Sequence, residues 1–247
     1  MSILVFNRFE SKYKLDDSTF QVLLQKLMEH MEWDPSNVNE KLYAVSSLYF
    51  DTMANDLIRH SIANPRYKEK LRIRAYGVPG PADKVYLELK KKVRGLVNKR
   101  RIGLTAEQAQ AFVMDGARPK TESYIENQVV DEIEYFLSRF PLVPKVYIAY
   151  ERFALFSRNS GDLRITFDCN LRARRDDLRL ESGDHGKSLM GSGEWLMEVK
   201  TSNTIPLWLA RILSDLRLWR VSYSKYGNEY VTMIKQQRAH ERGNTNV

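Results

Sequence analysis

Residues 70–77 read Lys70-Leu71-Arg72-Ile73-Arg74-Ala75-Tyr76-Gly77, and residues 87–92 read Leu87-Glu88-Leu89-Lys90-Lys91-Lys92. Side chains two apart on a strand share a face. Arg72 and Arg74 therefore lie opposite Leu71, Ile73 and Ala75, while Glu88, Lys90 and Lys92 lie opposite Leu87 and Leu89. The pattern recurs along the chain. Lys99 and Arg101 share a face, as do Tyr150 and Arg152. Arg164, Thr166 and Asp168 stand opposite Leu163, Ile165 and Phe167, and Glu198 and Lys200 stand opposite Met197 and Val199. Near the start, Glu10, Lys12 and Lys14 alternate in the same way.

These runs predict strands over residues 6–15, 42–51, 66–76, 84–93, 96–104, 145–157, 162–169 and 194–200, with 171–175 continuing the sheet. Gly77-Val78-Pro79-Gly80-Pro81 ends one strand, Arg94-Gly95 joins two tightly, and Asn159-Ser160-Gly161 reads as a hairpin turn. Helical spacing of Phe20, Leu23, Leu24 and Leu27 predicts a helix over 19–30, capped by Asp16 or Asp17. Further helices are expected over 56–62, after Thr105, over 122–139 and from Pro206 to about residue 213. In the 122–139 helix, Ile125, Val129, Ile133 and Phe136 face the core. Residues 222–235 form a final strand or helix, and 182–193, with four glycines, form a mobile loop. The expectation is an α+β fold with a closed or strongly curved antiparallel sheet and no second domain.

The chain has 247 residues, with 39 basic against 31 acidic and a net charge of +8. Residues 59–101 hold fourteen basic side chains against three acidic, a net of +11, so the rest is acidic on balance. An antiparallel sheet can simply wet one face. Two features count against that reading here. Faces made mainly of Lys and Arg repel themselves unless an anion sits among them, and the helices can cover the apolar face from outside. The charged faces would then line a lumen, where Arg offers forked donors and Lys point charge to phosphate. Glu10, Glu88, Asp168 and Glu198 would be either ion-pair partners or ligands of a hard metal bridging phosphate oxygens.

Other chemistries fare worse. The single cysteine, Cys169, excludes an internal disulfide, reads as a small apolar strand residue and fits a reduced, cytoplasmic setting. No apolar run reaches the roughly 18 residues of a membrane span, and the run at 3–6 is too short for a signal peptide. The four histidines are dispersed without metal spacing and read as surface residues. Gly186-Lys187-Ser188 is no phosphate loop, because Glu181 stands where the leading glycine belongs. Asp51 reads as a strand-end residue, and Trp195, Trp208 and Trp219 as core. Basic charge permits a nucleic-acid partner, but charges on one face of many strands suit a tunnel better than a groove.

Several strings, in order, resemble the catalytic domain of the vacuolar transporter chaperone (VTC) family within the triphosphate tunnel metalloenzymes. They are Arg8-Phe9-Glu10-Ser11-Lys12-Tyr13, Ser47-Leu48-Tyr49-Phe50-Asp51-Thr52, the two stretches quoted above, and Asn98-Lys99-Arg100-Arg101. Tyr150-Glu151-Arg152, Arg164-Ile165-Thr166-Phe167-Asp168, Met197-Glu198-Val199-Lys200 and Ser224-Lys225-Tyr226 follow. The resemblance implies an eight-stranded antiparallel β-barrel tunnel with helices packed outside, a single domain over 1–247, binding ATP or another triphosphate, or polyphosphate, along its axis. It implies Mg or Mn held chiefly by Glu198, with Glu10 as a second ligand. Phosphate contacts carried over are Lys12, Arg72, Arg74, Lys90, Arg152, Arg164, Lys200 and Lys225, with Tyr150 and Ser224 as hydrogen-bond donors. Lys99 and Arg101 match less securely, as does Arg59. Many tunnel enzymes carry Glu where this chain has Arg8, which weakens the case for metal-assisted water activation. Absence of regulatory and membrane segments suggests a free-standing prokaryotic relative.

The expected activity is a polyphosphate polymerase that transfers the ATP γ-phosphoryl group to a bound polyphosphate chain. Glu198, Lys200, Arg152 and Lys225 are the expected catalytic set. A tripolyphosphatase or nucleoside triphosphatase is the alternative, and a non-catalytic polyphosphate or nucleotide sensor another.

Overall fold

The computed structural model describes residues 9–34, 37, 41–94, 96–159, 162–202 and 204–244. All the strands belong to one antiparallel sheet. Its path runs β1 (Phe9–Asp16), β10 (Glu194–Thr201), β8 (Arg164–Arg174), β7 (Leu142–Ser157), β3 (Tyr43–Thr52), β4 (Tyr67–Tyr76), β5 (Lys84–Val93) and β6 (Leu96–Thr105). Two short strands flank it: β2 (Met31–Trp33) pairs with β7, and β9 (Lys187–Ser188) pairs with β8. The eight-strand path is the expected one, but hydrogen bonding does not close it between β1 and β6 among the described residues. Side chains cross that seam instead: Lys90 Nζ of β5 lies 3.1 Å from Glu10 Oε2 of β1. The segment before the last helix also lies along β1, with Val221 N–H donating to the Lys12 carbonyl at 2.8 Å.

Six helices accompany the sheet among the described residues. The alternating sequence decides where they dock. Leu71, Ile73, Leu87 and Leu89 are buried under Phe112 of α3 (Ala106–Asp115) and Val130, Ile133 and Phe136 of α4 (Tyr124–Arg139). Phe153, Phe167, Met197 and Val199 pack under Phe20, Leu23 and Leu27 of α1 (Asp17–Leu27) and Leu209 and Leu213 of α5 (Leu207–Asp215). Each such buried side chain contributes roughly 1.5–3 kcal/mol. Both clusters cover the convex face, so the charged face is concave. The lysine triplet shows the sorting. Lys90 points inward, while Lys91 points out to Glu132 of α4 at 3.1 Å, where Arg100 joins it at 2.7 Å.

A third apolar cluster lies on the concave side. Val146, Ile148, Leu171 and Leu196 pack against Tyr226 and Tyr230 of α6 (Lys225–Asn244) and Ile58 of α2 (Asp56–Ile62). The first turns of α6 thus fill one end of the curved sheet. Asp51 anchors this arrangement. Its buried carboxylate accepts N–H bonds from Thr52, Leu57 and Ile58 at 2.8–2.9 Å, and the Tyr226 hydroxyl donates to it at 3.0 Å.

Of the two forms open to the final segment, the helix is the one it takes. Several expectations need correction. Residues 164–174 form one strand interrupted at Asn170, whose φ of 51° marks a bulge. That extra residue reverses the alternation, so Leu171 and Ala173 face inward beneath α6. The strand expected from Lys145 begins at Leu142, because the pairing with β3 skips Lys145 and then resumes from Pro144 to Leu142. The loop over 182–193 contains β9 and is tethered: Arg174 donates to the carbonyls of Gly183 and His185 at 2.9 Å. Trp219 is 81% exposed rather than core, and Ile125 is 50% exposed, its place taken by Val130. The expected turn residues Ser160 and Gly161, and Arg8, lie outside the described residues.

Replacing Asp51 by Asn puts an amide donor among four donors. Stability should fall by about 2–4 kcal/mol, read from urea unfolding, with loss of α6 docking. An unchanged midpoint would show that Asp51 does not hold this end together.

Candidate active site

Each strand brings alternate residues to the concave face. Lys12 comes from β1, Lys200 from β10, Arg164 from β8 and Arg152 from β7. Lys70, Arg72 and Arg74 come from β4, Lys90 from β5, and Lys99 and Arg101 from β6. Lys225 is the first residue of α6 and reaches into the same space. Eleven cations therefore meet four carboxylates: Glu10, Glu88, Asp168 and Glu198.

Glu88 is the most crowded acid. It is 1% exposed. Arg72 donates to it through two nitrogens at 2.7 and 2.8 Å, and Lys99 lies at 2.8 Å, Arg101 at 3.4 Å and Arg74 at 3.8 Å. Burial opposes its charge, but Arg74, Arg72 and Lys99 outweigh burial and hold it well below the usual carboxylate range. Asp168 is likewise held down at about 2: burial works against it, and Arg152 and Lys225 win. Arg152 grips it with Nε at 2.5 Å and a terminal nitrogen at 2.8 Å, and Lys225 Nζ lies at 2.5 Å.

The other two carboxylates sit on neighbouring strands, where Glu10 is opposite Lys200 and Lys12 opposite Glu198. Glu198 has Lys200 at 2.8 Å and Lys12 at 3.3 Å, and Glu10 has Lys90 at 3.1 Å. Burial raises both, but Lys200 and Lys12 hold Glu198 well down, and Lys90 holds Glu10 down. Among the described residues, no three His, Cys, Asp or Glu side chains form a metal-ligating group. Two ionised carboxylates are nevertheless the donor set that suits Mg or Mn when phosphate oxygens and water complete the shell.

Every cation and hydroxyl expected at the site except Arg59, which is exposed on α2, lies on this face or at its end. Tyr150 sits among Arg152, Arg74 and Lys225. Burial would raise its phenol, but those charges bring it below its ordinary value. Lys225 Nζ stands 4.3 Å over its ring. Arg164 pairs with Asp34 at 2.8 Å. The Ser224 hydroxyl accepts from Gly227 N–H in the first turn of α6 and from Lys70 Nζ at 2.8 Å. Asp168 orients Arg152, the role the sequence left open beside metal binding. Lys70 was not assigned from sequence, although it stands two residues before Arg72 on the same face. Burial and then Lys90 and Lys12 push it down to about 7. The buried hydroxyls of Ser47 and Thr166 and Nε of Arg74 have no hydrogen-bond partner among the described residues. Buried polar groups are rarely left so, and these supply further donors for an anion. No described helix is long and apolar enough to cross a membrane.

Replacing Glu88 by Gln leaves four cations around an uncharged amide. Stability should fall by about 3–5 kcal/mol, and added salt should recover part of the loss. Urea unfolding at low and high ionic strength checks this, and a loss under about 1 kcal/mol would mean that the cluster tolerates its own repulsion.

Comparison with known proteins agrees with this architecture. A "putative adenylate cyclase" from Bacillus halodurans is 16% identical, with a TM-score of 0.54 over 90% of this chain and 96% of that one. A "putative adenylyl cyclase" from Hippeastrum, described as having a dominant triphosphatase activity, is 20% identical, with a TM-score of 0.50 over 90% of this chain and 93% of that one. Both likenesses are of fold. No curated protein matches the sequence. The VTC domain model matches residues 7–234, nearly the whole chain, and the protein belongs to the VTC domain family.

Proposed function

We propose that the concave face binds a triphosphate or polyphosphate chain and that the protein is a polyphosphate polymerase. The observation that carries the reading is the excess of cations over carboxylates on a face enclosed by strands and by α6. A linear polyanion is the ligand that neutralises such a row along its length. The phosphoryl group in transfer needs alignment and charge neutralisation, with little covalent help. Arg72, Arg74, Arg152 and Arg164, from three strands, hold the chain in line. Lys12, Lys200 and Lys225 neutralise the oxygens near Glu198, and Lys90, Lys99 and Arg101 those beyond. Tyr150 and Ser224 add hydroxyl donors. Glu198, with Glu10, would hold Mg or Mn, which when bound supplies charge neutralisation between phosphates.

Transfer to phosphate is favoured over hydrolysis by the state of the acids. All four carboxylates are tied to cations and held below their ordinary range, which makes each a poor proton acceptor for water. A phosphate chain end is already ionised and needs no base. The triphosphatase alternative draws on the fold shared with the Hippeastrum protein, and product analysis separates the two. With ATP and Mn or Mg, phosphorus NMR and a polyphosphate gel should show long chains growing as ADP appears. Glu198→Gln should cut turnover at least 100-fold. Orthophosphate as the sole product would sink the polymerase in favour of a hydrolase.

Anion binding should also be coupled to protons. Burial and neighbouring cations hold Lys70 at about 7, and burial, opposed by Glu88 and aided by Arg74, holds Lys99 at about 8. A polyanion alongside raises both, so the complex keeps protons that the free protein releases. Tripolyphosphate affinity should fall as pH rises from about 7 to 9, by up to roughly tenfold per pH unit for each group, and level off below about pH 6. Calorimetry in two buffers of different ionisation enthalpy measures the uptake. Lys70→Arg, charged throughout, should remove the step near pH 7. A flat affinity over this range would contradict the coupling.

A further inference from the structure

The two ends of the tunnel differ chemically. At one end, Lys68 and Lys92 lie beyond Lys70 and Lys90, beside α2 and the start of α6. At the other, the start of β3, the end of β4 and the start of β5 bring together three tyrosines. The rings of Tyr43 and Tyr76 are 5.9 Å apart at 55°, and those of Tyr76 and Tyr86 are 5.9 Å apart at 81°. Tyr86 is already covered, with the Arg101 guanidinium 3.4 Å from its ring centre. Arg101 also donates to the Tyr76 hydroxyl at 3.5 Å, which ties the rim to the phosphate-facing cations. Tyr76 is 50% exposed, tilted against Tyr43 and edge-on to Tyr86, so it is the ring with free area to offer.

From rim to interior the order is therefore an open π-face, a guanidinium, then the cations around Glu88 and Glu198. A nucleotide has the same order: a flat base, a first phosphate, then the reacting phosphates. We propose that Tyr76, backed by Tyr43 and Tyr86, is the stacking platform for the base of the entering nucleotide, whose triphosphate then points inward past Arg101. This rests on the reading of the tunnel as a triphosphate site and adds the location and orientation of the nucleoside. A π-face accepts every base, so the platform raises affinity for nucleotides over base-free phosphates without choosing among them.

The test compares two ligands that differ in the nucleoside. Affinities of the β,γ-imido analogue of ATP and of tripolyphosphate are measured by calorimetry for the wild type, Tyr76→Ala and Tyr76→Phe. Tyr76→Ala should weaken the nucleotide roughly 5- to 100-fold and leave tripolyphosphate within about twofold. Tyr76→Phe, which keeps the ring, should bind both as the wild type does. Unchanged nucleotide affinity in Tyr76→Ala would overturn the platform while leaving the tunnel reading intact. Equal losses for both ligands would overturn it as well, by assigning Tyr76 to the phosphates or to the fold. If the wild type binds neither ligand, the tunnel reading falls and the platform with it.

Discussion

Like charges crowded onto one concave face set the terms for everything else in this fold. A sheet that turns ten cations inward from seven of its strands would spread apart if nothing lay between the strands. Four carboxylates do lie between them, and all four pair with a cation of another strand or element. Glu88 of β5 gathers Arg72 and Arg74 of β4 with Lys99 and Arg101 of β6. Asp168 of β8 joins Arg152 of β7 to Lys225 of α6. Glu10 of β1 reaches Lys90 of β5 across the seam that hydrogen bonds leave open. Glu198 holds Lys12 of the neighbouring strand beside Lys200 of its own. The acids thus act as stitches, and they neutralise only part of the charge.

Buried ion pairs of this kind contribute little net stability, because desolvation offsets the attraction. Stability must come from the other face, and the strand period supplies it. Every strand that turns a cation inward turns Leu, Ile, Val or Phe outward beneath α1, α3, α4 or α5. The uncompensated interior and the apolar exterior are two consequences of one alternation. A change that shifted the register of a strand by one residue would exchange them and lose both at once.

That alternation is also why so much was legible before the structure. On each strand the two faces differ in charge as well as polarity, so strand identity and inward residues could be read together. The unread parts share a physical cause: they depend on a single residue or on a distant contact. The bulge at Asn170 reverses the inward set within one strand and has no periodic signature. The helix α6 is polar along most of its length, and only Tyr226, Tyr230, Met233 and Ile234 mark its docked face, a helical spacing diluted by the polar residues between them. Trp219 is large and apolar by type yet stands in solvent, while its neighbours Leu216 and Leu218 pack against the core. Lys70 was passed over because its distinction is not its type but its company: it bonds a serine hydroxyl where its neighbours bond acids.

The uneven distribution of compensating groups gives the tunnel a direction. Near the tyrosine rim, Arg164 has Asp34, and Arg101 spends part of its charge on the face of Tyr86. Near α6 the balance is poorer. Lys70 has a hydroxyl for a partner, Lys68 and Lys92 stand together, and the first turn of α6 adds the positive end of a 20-residue helix to the same region. Two acids sit at that turn, and both are engaged: Asp51 accepts from Tyr226 and from three backbone N–H groups, and Arg152 grips both oxygens of Asp168. Among the described residues, the cations without a carboxylate partner therefore gather nearer α6 than the rim. If the concave face binds an anionic chain as proposed, the end at α6 is where that chain would meet the least-neutralised cations.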